Sequence, residues 1–137
     1  EEVFVHPRDP KVRLDILDGS RPVQVTVSGQ VVADSNKARL LFETGLPTRY
    51  YLPQDDVHLE FLQPSDLHTS CPYKGTAHYW HVKLGNEIFK DMVWCYPDPL
   101  AEAARIKGYL CFFNEQVSAI HVDGAETERP VTKWSPK

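Results

Sequence analysis

Short apolar runs of strand length, each closed by a turn signal, dominate this chain and leave few alternatives to an antiparallel β fold. Val23-Gln24-Val25-Thr26-Val27 alternates cleanly and stops at Ser28-Gly29, a hairpin signal, before Gln30-Val31-Val32-Ala33. A third run, 39–43, is stopped by Gly45-Leu46-Pro47, and a fourth, 49–52, by Pro53. Residues 57–62 alternate again and read as a fifth strand. After a loop rich in Pro, Ser and Asp come 77–84 and 87–96, joined by Gly85-Asn86, which predicts a type I′ hairpin. Two last strands are expected over 109–113 and 117–122. Residues 100–107 form the one good helix pattern, with Pro97 and Pro99 before it and Gly108 at the C′ position. The expected class is therefore mainly β, an antiparallel fold of about eight or nine short strands with one short helix.

At 137 residues the chain is read as one domain, able to bury roughly two-thirds of the surface that its unfolded form exposes. Residues 1–20 read as an extended arm or linker, 21–124 as the β domain, and 125–137 as a polar tail in which Trp134 suggests one anchoring contact. A net charge of −4 opposes attraction to a phosphate backbone, so no nucleic-acid partner is expected. No apolar run approaches the ~18 residues of a membrane span, so no membrane partner is expected either. Nothing at the start resembles a signal peptide. The missing initiator Met reads as a processed chain or a piece of a longer one. Cys71, Cys95 and Cys111 are odd in number and lack C-x-x-C spacing, which argues against a disulfide framework or a zinc ribbon and for a reducing cytoplasm. The six histidines show no helical i,i+4 spacing, so neither a metal nor another cofactor is expected.

The hairpin at Gly85-Asn86 assigns side chains to faces. With Leu84 opposite Glu87, counting back sets Trp80 against Asp91, Tyr79 against Met92 and Ala77 against Trp94. Alternation then puts His78, Trp80, Val82, Phe89, Val93 and Cys95 on one face, expected to meet the core. Tyr79, His81, Lys83, Ile88, Lys90, Met92, Trp94 and Tyr96 share the other with Ala77. Its far end is aromatic and adjoins the stretch Thr69–Thr76, read as a loop, and so is placed to wall a concave site.

The reactive residues each have two readings. Cys71 is a candidate nucleophile, with His68 or His78 as base and Lys74 to lower its pKa, or an inert buried thiol. Lys74-Gly75-Thr76 suits an anion that approaches the glycine backbone, or is an ordinary solvated turn; the spacing is not that of a P-loop. Glu43 and Arg49 bracket a turn and either pair with each other or leave Arg49 to grip a carboxylate or phosphate. Asp55-Asp56 beside Pro53 resembles a turn cap.

Three ordered motifs carry a resemblance. Glu43-Thr44-Gly45-Leu46-Pro47-x-Arg49-Tyr50-Tyr51-x-Pro53, Cys71-Pro72-Tyr73-Lys74-Gly75-Thr76-Ala77-x-Tyr79-Trp80 and Trp94-x-Tyr96-Pro97-x-Pro99 resemble the domain of unknown function family 427 over roughly residues 21–124. The resemblance implies a β-tent-like fold, as in methionine sulfoxide reductase B and the ligand-binding domain of cereblon. Those relatives carry zinc on paired C-x-x-C knuckles, which this sequence lacks. The aromatic cage of the cereblon domain implies Tyr51, Trp80, Trp94 and Tyr96 as candidates for a similar wall. Family members also occur as tandem copies, which implies a second domain copy or a homo-oligomer as a partner. The family sometimes carries a nucleotidyltransferase label; such enzymes cluster carboxylates around two metals, and Asp55-Asp56 is the pair available here.

Two functional expectations result. One is a small-molecule site, with Lys74, Tyr73 and Cys71 as candidate catalytic groups and Glu43, Arg49, Tyr51, His78, Trp80, Trp94 and Tyr96 as ligand-binding groups, for a flat ligand bearing an anionic or carbonyl group. The other is a non-catalytic structural or interaction module that docks through an edge strand or the N-terminal arm.

Overall fold

A computed structural model describes residues 12–136. Within them eleven strands form two antiparallel sheets. The strands are β1 (Leu14–Asp18), β2 (Val23–Val27), β3 (Gln30–Ser35), β4 (Arg39–Glu43), β5 (Arg49–Leu52), β6 (Leu62–Cys71), β7 (Gly75–Leu84), β8 (Glu87–Cys95), β9 (Leu110–Phe112), β10 (Ala119–Val122) and β11 (Ala125–Glu126). The larger sheet runs β1-β4-β5-β9-β8-β7-β6 and the smaller β11-β10-β2-β3.

Strict alternation separates two cores across the larger sheet. Leu52, Val82, Val93, Leu110 and Phe112 point one way and pack against Val23, Val25, Val27 and Ile120 of the smaller sheet. Their neighbours Tyr51, Trp94 and Cys111 point the other way and join Leu41, Ala77, Tyr96 and Phe113 in a second cluster. Ala103 and Ile106 cover part of that second cluster. Residues Ala101–Ile106 form 3-10 turns with a break at Ala103, not the expected α-helix. The three-residue period is what aligns Ala103 with Ile106 on one side of so short a segment.

Several expectations need correction. Leu14–Asp18, read as part of an arm, pairs with β4 along its length and so belongs to the sheet, while residues 1–11 of the proposed arm lie outside the described residues. Residues 57–62, read as a strand, hold only a single bridge from Val57 to Ala33 and the 3-10 turn Leu59–Phe61, with β6 starting at Leu62; the turn Gln54–Asp56 precedes them. The Pro-, Ser- and Asp-rich stretch read as a loop is β6, and the expected loop at 69–76 shrinks to a turn, because β6 continues to Cys71 and β7 begins at Gly75. Pro64 and Asp66 sit on this edge strand beside an irregularity in its pairing, the usual devices that blunt an open edge.

The hairpin register departs in an instructive way. Leu84 pairs with Glu87 as expected, but Trp80 meets Val93 and Tyr79 meets Trp94, two residues further along β8. The slip occurs at a bulge where Asp91 takes φ +53° and its N–H donates to His81 Nδ1 at 3.0 Å. A shift of two keeps parity beyond the bulge, so Val93 and Trp94 keep their assigned faces; Met92 at the bulge does not, and packs with Val93 in the first core. At the turn, Gly85 has φ +60° while Asn86 is not left-handed, which fits type II′ with its leading glycine rather than type I′.

Candidate functional site

The second core does not close completely. A cavity of about 420 Å³ opens between the β4–β5 turn, the β6–β7 turn and the C-terminal segment. Its size suits a small ligand. Rings of Tyr79, Trp94, Tyr96, Phe113 and Trp134 wall it, and Glu43, Arg49, Lys74, Cys71, Thr69 and Ser70 supply polar atoms, with Leu46 and Lys133 also in the lining.

Each polar group reaches the cavity for a local reason. Glu43 closes β4, and Lys74 occupies the turn that follows β6, so the topology brings two turns face to face. The Lys74 ammonium donates to Glu43 Oε1, and both side chains are nearly buried, at 10% and 8% exposure. The Lys74 turn is held by Leu100, whose N–H donates to Lys74 O at 2.9 Å. Gly75 has φ +112°, and a Cβ there would meet Asp98 O at 3.3 Å and Leu100 N at 3.4 Å. The glycine therefore admits the chain's own 98–100 segment, not a ligand. Gly75→Ala is expected to lower stability by roughly 1–3 kcal/mol through backbone strain and crowding. Thermal unfolding measures this, and an unchanged melting temperature would show that the turn adapts freely.

Arg49 does not pair with Glu43. It extends from β5 along the cavity floor and grips Glu115 with both terminal nitrogens, Nη1 to Oε1 at 2.5 Å and Nη2 to Oε2 at 3.0 Å, while Nη1 also donates to Asn114 Oδ1. This two-pronged geometry needs the planar fork of arginine. The guanidinium carbon lies 5.3 Å from the Trp94 ring centre and 5.6 Å from those of Phe113 and Trp134. Thr132 Oγ1 donates to Glu115 Oε2 at 2.6 Å and Gln116 Nε2 donates to Trp134 O at 2.9 Å, so the same charge pair anchors the C-terminal segment over the cavity. Burial disfavours the Glu115 carboxylate, but the hydrogen bonds from Arg49 and Thr132 outweigh it and hold its pKa below the ordinary value. For Arg49 burial likewise opposes the charge, and the Glu115 hydrogen bond with nearby negative charge raises the pKa. Arg49 is thus a floor support more than a grip for an incoming anion.

Tyr51, Tyr79 and Tyr96 are held neutral. Tyr51 is fully buried under the wall, where burial pushes its hydroxyl well above the usual range; that hydroxyl accepts from Trp94 Nε1 at 2.9 Å. Burial also raises Tyr96 and, less, Tyr79, whose hydroxyl shares a 2.9 Å hydrogen bond with Thr69 Oγ1. Burial pushes the Cys95 thiol up to about 11 and Cys111 to about 12, so neither is a nucleophile near neutral pH.

Of the residues expected at the site, Glu43, Arg49, Cys71, Lys74, Trp94 and Tyr96 do line one cavity. Tyr51 supports it from below. Tyr73 lies in the turn, outside the lining. Trp80 and His78 project from the opposite face of β7: Trp80 packs on the first core, and His78 meets His68 with ring centres 4.3 Å apart. Parity along β6 puts His68 on that face too, so neither histidine serves Cys71 as a base. Glu115, Phe113 and Lys133 were not anticipated. The sequence offers little sign of Glu115, which follows the apolar run 110–113 between two polar residues, Asn114 and Gln116, where an exposed turn is the ordinary reading.

Asp55 and Asp56 lie in the 3-10 turn Gln54–Asp56, which has no side-chain cap, so they are not the turn cap expected; Asp56 Oδ2 instead accepts from Ser35 Oγ at 2.6 Å and ties the turn to the end of β3. Among the described residues no three or more His, Cys, Asp or Glu side chains gather as metal ligands, and no helix is long and apolar enough to cross a membrane. No curated protein matches the chain. A family model does match, over residues 15–123, which takes in β1 to β10 and leaves out the C-terminal segment that roofs the cavity. The chain belongs to the family described as Domain of unknown function (DUF427).

Proposed function

We propose that the roofed cavity binds a small, flat molecule with an anionic or carbonyl group. The observation that carries this reading is the convergence of five aromatic rings and a nearly buried Lys74–Glu43 pair on one open space. Five rings around a void leave stacking surface unused, and a ligand ring supplies the missing partner. The Lys74 ammonium has three donors, and its hydrogen bond to Glu43 occupies one, so the others suit a carbonyl or carboxylate oxygen. Thr69 and Ser70 add hydroxyls at the mouth.

The test is ligand-induced thermal stabilisation across a panel of flat carboxylates, ketones and nitrogen heterocycles. A ligand at about 100 times its Kd is expected to add about 2.7 kcal/mol to stability. Ser70→Trp, a change at an exposed position on the mouth, should leave the free protein's melting temperature nearly unaltered and remove the ligand shift. A panel without effect on the wild-type protein, or equal shifts in both proteins, would refute the reading.

A further inference from the structure

Lys74 stands out among the lysines of the described residues. Lys37, Lys83, Lys90 and Lys107 are exposed, whereas Lys74 is buried at the wall of an aromatic cavity, with its ammonium 6.0 Å from the Tyr96 ring centre and hydrogen-bonded to Glu43. Removing both charges from water costs more than a surface pair would, and a pair serving only to hold two turns together gains nothing from facing a void. An amine with a carboxylate in contact, at the wall of an open aromatic cavity, has the parts for reversible imine formation.

We propose that Lys74 condenses with a small carbonyl compound in this cavity, with Glu43 carrying the protons; the proposal rests on the cavity being a ligand site. Glu43 takes a proton from the Lys74 ammonium. The freed nitrogen lone pair forms a bond to the carbonyl carbon while the C=O π pair moves to oxygen, which takes the proton back from Glu43. The nitrogen of this carbinolamine returns a proton to Glu43. Glu43 then protonates the hydroxyl, the C–O bond breaks, water leaves, and the nitrogen lone pair completes a protonated C=N bond. One carbonyl compound and one ammonium become one iminium and one water, with Glu43 again ionised beside the new cation. No oxidant or reductant takes part.

Charge selects among carbonyl compounds. Glu43 offsets Lys74 and Glu115 offsets Arg49, so Lys133, exposed and part of the lining, gives the mouth a positive charge. A 2-oxo acid puts its carbonyl at Lys74 and its carboxylate toward Lys133.

The experiment incubates the whole protein with glyoxylate and cyanoborohydride and follows modification of each lysine by peptide mapping. Lys74 is expected to be modified about a hundredfold faster than Lys83 and Lys90, the scale of a positioned acid–base partner. E43Q is expected to bring Lys74 down to the rate of those exposed lysines without altering theirs. Modification of wild-type Lys74 no faster than Lys83 and Lys90 overturns the proposal, as does an unchanged Lys74 rate in E43Q. If panel compounds still shift the melting temperature of a protein whose Lys74 is not trapped, binding survives and imine chemistry falls. If neither signal appears, both fall.

Discussion

Glu115→Ala is expected to destabilise the fold by about 3–5 kcal/mol, the cost of leaving a buried charge without its partner. Glu115 is fully buried and accepts two hydrogen bonds from Arg49 and one from Thr132. The truncation strands the Arg49 guanidinium at the floor of the cavity and releases the C-terminal segment at the same time. Urea unfolding measures the loss, with the slope checked for a change in two-state behaviour. Pairing Glu115→Leu with Arg49→Met removes both charges, and much of the stability should return, since an apolar pair of similar volume often equals a buried ion pair. If the double variant is as weak as Glu115→Ala, the loss lies in packing and not in the stranded charge.

The same pair sets an acid limb. The Glu115 carboxyl titrates below its ordinary value of 4.5 in the folded protein, so the folded state binds fewer protons than the unfolded chain between the two values. Its contribution is complete above pH 4.5 and is lost as pH falls through the depressed folded value. The Arg49 pKa is shifted upward, so its share is fully present below the ordinary guanidinium range and plays no part in acid. Other carboxylates also titrate there, and the relevant quantity is the difference between wild-type protein and Glu115→Gln, which should shrink as the solution is acidified.

What the sequence could and could not convey follows from range. Val23–Val27 with Ser28-Gly29 announces a hairpin because alternation and turn chemistry are local, and Ser28 and Gly29 do take φ +49° and +82°. The split between Val93 and Trp94 survived an unforeseen bulge because a slip of two preserves faces. β6 was invisible for the opposite reason. Its residues are mostly exposed, with no apolar alternation to read, and it is a strand by virtue of pairing with β7. The site shows the same division. Lys74, Arg49 and Trp94 could be gathered because they sit in compact motifs, but the partner of Arg49 lies 66 residues away and the Trp134 roof further still. Guessing that Glu43 served Arg49 favoured the near carboxylate; the sheet order places β5 next to β9, whose exit carries Glu115, and gives Glu43 to Lys74 instead.

Trp94→Ala is expected to cost about 3–5 kcal/mol, the range for deleting a large buried aromatic. The indole lies under Arg49, 4.4 Å from the Phe113 ring centre, and meets Tyr51 edge-on at 6.2 Å. So severe a change confounds wall and scaffold, and a gentler cycle separates them. Trp94→Phe keeps a ring but leaves the Tyr51 hydroxyl, fully buried, without the donor it has at 2.9 Å, for about 1–3 kcal/mol on top of the lost volume. Tyr51→Phe strands the other half of the bond. The double variant removes both polar atoms, and its loss should fall short of the sum of the single losses by about 0.5–3 kcal/mol. Strict additivity in urea unfolding would mean that the hydrogen bond does not tie the wall to the sheet. With coupling present, a folded double variant retains Arg49, Lys74 and Phe113 but lacks the indole face. Any ligand shift it has lost then belongs to stacking on Trp94, whereas a shift it keeps assigns recognition to the polar end of the cavity around Lys74 and Glu43.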